Sequence, residues 1–446
     1  MTWQRDLAWQ NIEQTYRSSV AHQFARYALS LDYKILPQDV IHQAKRCLLD
    51  TLGCAIGAYH APGRPICEAV VRGLGGSEEA TVFGSGLRTS APNATLVNTF
   101  LVRYLDFNDA GGGGHNSQAI PSILAVAERD KANGRDFLTS VVISYEIGAR
   151  FNEGMAAFYS EDRSWQVDIR GGVNMPPAIG KLMGLNEEQI ANALGACACH
   201  EFPLGHLDTH HEENSMCKNL RFTWGAYNAI LSCLLAKNGF TGPVRVIEGE
   251  NGINQALFDG KMDFQRMLDF SGWRILRVRF KALPLNGSTI PHVLATLAVV
   301  NEHPIKPEDV VAVRMTTCVR ETIHCTIPAK KYPRNGESAD HSAFWPNAMA
   351  IRDRDFGAES YKDENYTDPV ILDLIEKITV EGDTNRPYQW PGGGCRITTK
   401  DGSVFEKRFE LAHRVFFMMC IQMAERKFVT RTRTKSISDL LFVQPH

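Results

Sequence analysis

Residues 104–122 read Y-L-D-F-N-D-A-G-G-G-G-H-N-S-Q-A-I-P-S. Two carboxylates (Asp106, Asp109), an amide (Asn108) and an imidazole (His115) surround four consecutive glycines. Ordering a glycine run costs backbone entropy, so such a run is kept most readily where the chain must pass close to something. Mostly apolar sequence lies on both sides, Leu96 to Tyr104 before it and Ile120 to Ala127 after it. Two helical segments broken by a glycine loop that carries Asp and His look like the wall of a pocket. The plainer alternative is a solvated connection between helices. His115 exchanges a proton near neutral pH, and Asp106 or Asp109 could fix its tautomer.

Outward from this loop, the periodicity from about Val20 to Phe270 is helical. Ile41, Ala44, Leu48, Leu49, Leu52 and Ala55 recur at spacings of three and four, one apolar face of a helix. Phe137 to Ile147 and Glu188 to Cys199 repeat the pattern, with Asn186 placed to cap the second. Trp224 to Lys237 is apolar on nearly all sides and predicts a central, buried helix ended by Asn238-Gly239. Glu79 to Ser85 predicts a short strand. After Trp273 the character changes. Ile275 to Phe280 and Val310 to Thr317 alternate with period two, as strands do. Apolar helices are expected at Val293 to Val300 and at Val370 to Ile378. Cys395 to Thr399, Asp401-Gly402 and Val404 to Phe409 spell a hairpin, the Asp-Gly step favouring a tight reversal. The fold class expected is mainly α: an all-α helical domain over 1–270, with or without completion by 411–446, and a smaller α+β domain over 271–410.

Composition excludes several function classes. The chain has 446 residues, 44% of them hydrophobic and 22% charged, an ordinary globular balance with length for two domains. A formal net charge of −2 offers no broad basic surface, so nucleic acid is not an expected partner. No apolar run reaches membrane-spanning length. The opening M-T-W-Q-R-D-L-A-W-Q has no hydrophobic signal core, and the expected location is the cytoplasm. Eleven scattered cysteines with no C-x-x-C read as reduced core residues.

Other candidates are individually weak. Lys218, in S-M-C-K-N-L, precedes the apolar helix and must find an anion, lose its proton or snorkel out. His200, His206, His210 and His211 with Glu212 and Glu213 make a dense cluster, but it lacks recognised metal-ligand spacing, and no metal is expected. Asn286 and His292, after the first expected strand of the second domain, and Asp340-His341-Ser342 are possible pocket-lining groups. Gly392-Gly-Gly394 precedes a strand rather than a helix, and no phosphate-binding loop motif occurs, so no nucleotide cofactor is expected.

Taken in order, several segments resemble the MmgE/PrpD family: L-L-D-T-L-G-C-A-I-G (48–57), N-A-T-L-V-N-T-F-L-V-R-Y-L-D-F-N-D (93–109), G-H-N-S-Q-A-I-P-S-I-L-A-V-A-E (114–128), G-K-L-M-G-L (180–185), S-M-C-K (215–218), N-G-F-T-G-P (238–243) and A-D-H-S (339–342). The match runs over about residues 20–410. The family includes 2-methylcitrate dehydratases, cis-aconitate decarboxylases and an iminodisuccinate epimerase. The resemblance implies a large all-α domain and a small α+β lid domain in a homodimer, with an active site between the domains and no metal or organic cofactor. It puts the family's acidic and histidine pocket residues on Asp106 and His115 and its pocket lysine on Lys218. Asp109, Gln166, Asn286 and His292 are expected as substrate-binding residues beside them.

The chain also departs from the family. Ala110 stands where a threonine is familiar, His115-Asn116-Ser117 where His-Pro-Ser is usual, and Trp165-Gln166 where many members have Trp-His. Ile290 stands in the place of a lid-domain histidine, with His292 two residues on, and the tail after Leu411 is unlike the family's. The expected reaction is dehydration of 2-methylcitrate or a longer 2-alkylcitrate, a tricarboxylate, with proton transfer shared by His115 and Asp106 and with Lys218 stabilising a carboxylate. Decarboxylation of cis-aconitate and epimerisation of an amino-diacid are the alternatives within the family; an inactive tricarboxylate-binding relative is the alternative outside catalysis.

Overall fold

The computed structural model describes residues 2–111, 114–155, 164–208, 212–384 and 392–410. The described chain is mainly helical, with three small sheets. The described residues divide into two compact units: those up to Arg279 with Asn335–Ser338, and Phe280–Arg334 with those from Ala339 to Glu410. Gly112, Gly113, His210, His211 and the tail 411–446 lie outside the described residues.

In the first unit, helices Ala91–Tyr104, Ile120–Asp130, Gly134–Met155, Gly171–Leu182, Glu187–Ala198 and Thr223–Lys237 pack on one another. The Asn186 side chain accepts from Gln189 N, and the Gln189 side chain returns a bond to Asn186 N, closing a capping box on its helix. Small residues let these helices approach closely: a Cβ on Gly172 would lie 2.9 Å from the Ala198 Cα. Of the ten described cysteines, eight are buried and none is bridged.

Helix Thr223–Lys237 is not enclosed on all sides. It packs against four of the helices just named, yet Trp224 is 49% and Leu235 46% exposed. An apolar composition all round hides which face is covered, because the hydrophobic pattern then carries no direction.

The expected strand Ile275–Phe280 is mostly something else. Arg274–Arg277 is a 3-10 turn, and only Val278–Arg279 is extended, pairing antiparallel with Ala110–Gly111. A buried ion pair explains why this segment stays with the helical unit. Arg150 and Glu146, on helix Gly134–Met155, pair with both side chains fully buried. Arg150 donates to the carbonyls of Asp269 (2.9 Å), Ser271 (3.3 Å) and Gly272 (3.2 Å), and Glu146 accepts from Ile275 N at 2.8 Å. Leaving either charge unpaired there would cost several kcal/mol, roughly 3–5, so residues up to Arg279 are tied to the first unit.

The second unit is α+β. Its sheet has strand order Ile378–Asp383, Val310–Cys318, Gly392–Thr399, Val404–Glu410; the first pair is parallel and the other two are antiparallel. The Asp401-Gly402 reversal is present, with Gly402 at φ +83°. Helix Ile290–Glu302 packs on this sheet, and with helix Trp345–Asp353 and the inward strand residues it encloses a core of Val293, Leu297, Val313, Met315, Trp345 and Ile397.

Candidate active site

Asp106 terminates helix Ala91–Tyr104 by taking φ +46°, a left-handed conformation that is sparsely populated by residues other than glycine. Its carboxylate pairs with Arg103, one turn back on the same helix, and both are almost fully buried. Arg103 is the sole charge of a helix buried along nearly its whole length, so the pair satisfies two charges that neither could bury alone.

His115 is half-buried at the far end of the glycine loop. Its Nδ1 lies 2.6 Å from the backbone carbonyl oxygen of Asp109. A carbonyl only accepts, so Nδ1 carries the proton and Nε2 is the ring's acceptor nitrogen. The tautomer is therefore set by Asp109, as one of the two sequence alternatives held, but through its main chain rather than its carboxylate. That carboxylate is completely buried: Oδ1 accepts from Ser117 Oγ at 2.6 Å and from Ser117 N at 3.3 Å, and Oδ2 accepts from the Tyr145 hydroxyl at 2.6 Å. Burial pushes its pKa up, against the hydrogen bonds of Ser117 and Tyr145 and the charge of Arg170, which pull it down.

Lys218 is fully buried on the 3-10 turn Met216–Leu220, where Nζ donates to the Glu337 carbonyl at 3.2 Å. The same short segment, Asn335–Ser338, is held by Asn214 Nδ2 on the Glu337 carbonyl (3.0 Å), by Asn219 Nδ2 on Glu337 Oε1 (2.8 Å) and by Asn214 N on Ser338 Oγ (2.9 Å). These bonds explain why four residues from late in the chain belong to the first unit. Beyond Lys218 the turn delivers Arg221 and Phe222. The Phe222 ring meets His115 edge to face at 6.4 Å, and Arg221 Nε lies 2.9 Å from Asp168 Oδ2. Burial would lower the Arg221 pKa, but the fields of Asp168, Asp208 and Asp106 hold it above its ordinary value.

Gln166 follows the isolated bridge between Trp165 and Leu204, and its side chain donates to the Gly205 carbonyl at 3.2 Å. Asn286 and His292 lie in the second unit. Asn286 Oδ1 accepts from Ser288 N (3.0 Å) and Ser288 Oγ (2.6 Å), a turn that leads into helix Ile290–Glu302. His292 is fully buried on that helix; its Nδ1 accepts from Asn347 Nδ2 at 2.9 Å, and burial lowers its pKa to about 4. Of the histidine-rich stretch, His206 makes an exposed ion pair with Glu212 at 2.6 Å and His200 bonds the Ala196 carbonyl.

The first unit thus holds Asp106, Asp109, His115 and Lys218, and in it lie four charged groups that sequence reading missed: Arg103, Asp168, Arg170 and Arg221. The available signal was charge inside apolar sequence, as in Arg103 within N-A-T-L-V-N-T-F-L-V-R-Y and in Asp168-Ile-Arg170 before Gly171-Gly172.

The MmgE/PrpD N-terminal domain matches residues 22–265, and the MmgE/PrpD C-terminal domain matches 284–435. The chain belongs to the MmgE/PrpD family. Among its relatives, a mitochondrial 2-methylcitrate dehydratase of Yarrowia lipolytica is 25% identical over 415 residues, 86% of this chain and 78% of that protein. A cis-aconitate decarboxylase of Aspergillus terreus is 21% identical over 468 residues, 97% of this chain and 94% of that protein. The cis-aconitate decarboxylase-like protein oryM of Aspergillus oryzae is 24% identical over 251 residues, and this match spans 54% of this chain and 51% of that relative. Family membership accounts for the ordered motifs, the helical first unit and the α+β second unit. No described helix is long and apolar enough to cross a membrane.

Proposed function

We propose that the protein is a cofactor-independent hydro-lyase that dehydrates 2-methylcitrate or a longer 2-alkylcitrate to the corresponding cis-aconitate. The observation that carries this reading is the His115 tautomer: Nδ1–H bound to the Asp109 carbonyl presents Nε2 as a base, in a unit that also buries Lys218 and Arg221. Dehydration needs a base for the proton next to a carboxylate and an acid for the departing hydroxyl. His115 Nε2 takes the proton, the carbon–oxygen bond breaks as the alkene forms, and the proton gained by the imidazole leaves with the hydroxyl as water. Asp106, ion-paired with Arg103, is assigned to the same proton transfer. Lys218 stabilises the carboxylate on which negative charge builds. Asp109 acts through Ser117, Tyr145 and its own carbonyl, as the anchor of the loop that holds His115.

Decarboxylation of cis-aconitate is the second reading, favoured by the relative so named that covers 97% of the chain. Proton NMR of the protein incubated separately with 2-methylcitrate, citrate and cis-aconitate decides between them. A new alkene signal from 2-methylcitrate supports the dehydratase. Itaconate and carbon dioxide from cis-aconitate move the assignment to decarboxylase. Full activity in a folded His115→Ala variant overturns the catalytic assignment. We further propose a homodimer, which sedimentation would test, and a cytoplasmic location, which fractionation would test.

A further inference from the structure

Arg170 ends the 3-10 turn Val167–Arg170 and is 2% exposed. Its Nη2 donates to Asp168 Oδ1 at 3.0 Å. Asp168 Oδ2 lies 2.9 Å from Arg221 Nε, and Arg221 Nη1 lies 3.3 Å from Asp208 Oδ2. Arg170 is thus fixed from one side by a carboxylate that a second arginine shares. Its Nη1 is buried with no hydrogen-bond partner among the described residues. An unmade bond at a buried cationic donor costs about 1–3 kcal/mol or more, and proteins rarely carry such a group without a use for it.

The place where Nη1 lies gives the use. Gly114, at φ +104°, packs directly on the guanidinium, and a Cβ there would overlap Nη1 and Cζ of Arg170. Gly114 is the residue before His115, so the spare donor lies against the backbone that carries the proposed base. Arg221, which orients Asp168, precedes the Phe222 that touches His115. The local charges of Arg170 and Arg221 are balanced by Asp168 and Asp208, so a ligand is drawn by one directed donor rather than by surplus charge. A planar, permanently charged group with a free N–H is suited to a carboxylate oxygen.

We propose that Arg170, for which Gly114 makes room, is the residue that grips a substrate carboxylate beside His115, its Nη1 donating to one carboxylate oxygen. The assignment rests on the tricarboxylate reading above and names the group that distinguishes three carboxylates from two.

The test is calorimetric binding of two unreactive ligands, tricarballylate (three carboxylates) and glutarate (two), to the full chain. The wild-type protein should prefer tricarballylate by about tenfold or more, the value of one charge-assisted hydrogen bond. R170Q should bind the two alike and R170K should fall between. Should R170Q misfold because Asp168 loses its partner, D168N/R170Q restores the charge balance and makes the same prediction. Retention of the preference in these variants overturns the proposal, as does equal weakening of both ligands or absence of a preference in the wild type. The alkene assay is read separately. Turnover of 2-methylcitrate with an Arg170-independent preference refutes Arg170 alone; no turnover with the Arg170-dependent preference intact refutes the dehydratase alone.

Discussion

Replacing Tyr145 by Phe removes one oxygen and tests how the loop is anchored. The Tyr145 hydroxyl donates to Asp109 Oδ2 at 2.6 Å, and both residues are fully buried. A hydrogen bond to a charged group contributes about 1.5–3 kcal/mol. Ser117 holds only the other oxygen, so nothing described takes over the vacated acceptor, and we expect a loss of about 2 kcal/mol at pH 8. In a unit of this size that lowers the melting temperature by about 4 °C. The pH dependence has a definite sign. Burial raises the folded Asp109 pKa, and the Tyr145 bond opposes that rise. Losing the bond raises the folded pKa further. A carboxyl with a raised folded pKa favours the folded state below that pKa and loses the contribution as pH rises through it. Tyr145→Phe should therefore be most harmful at pH 8 and should approach the wild type as pH falls toward the elevated pKa of Asp109. Melting curves of both proteins from pH 8 down to pH 5 are the assay. A neutral substitution at pH 8, or a penalty that grows on acidification, would refute the account of Asp109 as an ionisable anchor.

Four further outcomes are expected. His115→Ala should lower turnover about 100- to 10,000-fold, the usual contribution of a general base, with the melting temperature unchanged; Lys218→Met should lower turnover as well, and steady-state rates alongside melting curves separate the two effects. His292, with its folded pKa lowered to about 4 from 6.5, stays neutral while the unfolded chain takes up a proton, so stability falls as pH drops from 6.5 toward 4, by up to about 3 kcal/mol; His292→Gln should flatten that slope in urea titrations, and an unchanged slope would refute the assignment. Gly148→Ala should destabilise by about 1–3 kcal/mol, because its Cβ would meet the Asn116 side chain and lie 2.9 Å from Asn174 Nδ2; a melting temperature equal to the wild type's would contradict this packing.

The hydrophobic repeats alone placed the helices around Ile41–Ala55, Phe137–Ile147 and Glu188–Cys199, and the Asp401-Gly402 step alone placed the hairpin. Each is a local property: a period of 3.6 or 2, a cap, or a turn residue with positive φ. The glycine loop and its His115 were legible for the same reason, since residue types and their neighbours mark a close approach. What the sequence could not decide depends on partners distant in the chain. Ile275–Phe280 alternates like a strand, but Glu146, more than a hundred positions earlier, binds the Ile275 N–H while Arg150 holds the backbone just before it, and the first half of the segment is a 3-10 turn. Trp224–Lys237 is apolar throughout, and only packing shows which of its faces is covered. The tautomer of His115 follows from a main-chain oxygen, which every residue has and no composition reveals. Arg103, Asp168, Arg170 and Arg221 are ordinary charges in the sequence; burial makes them informative, because a charge out of water must find a partner, and the partner is chosen by the tertiary fold.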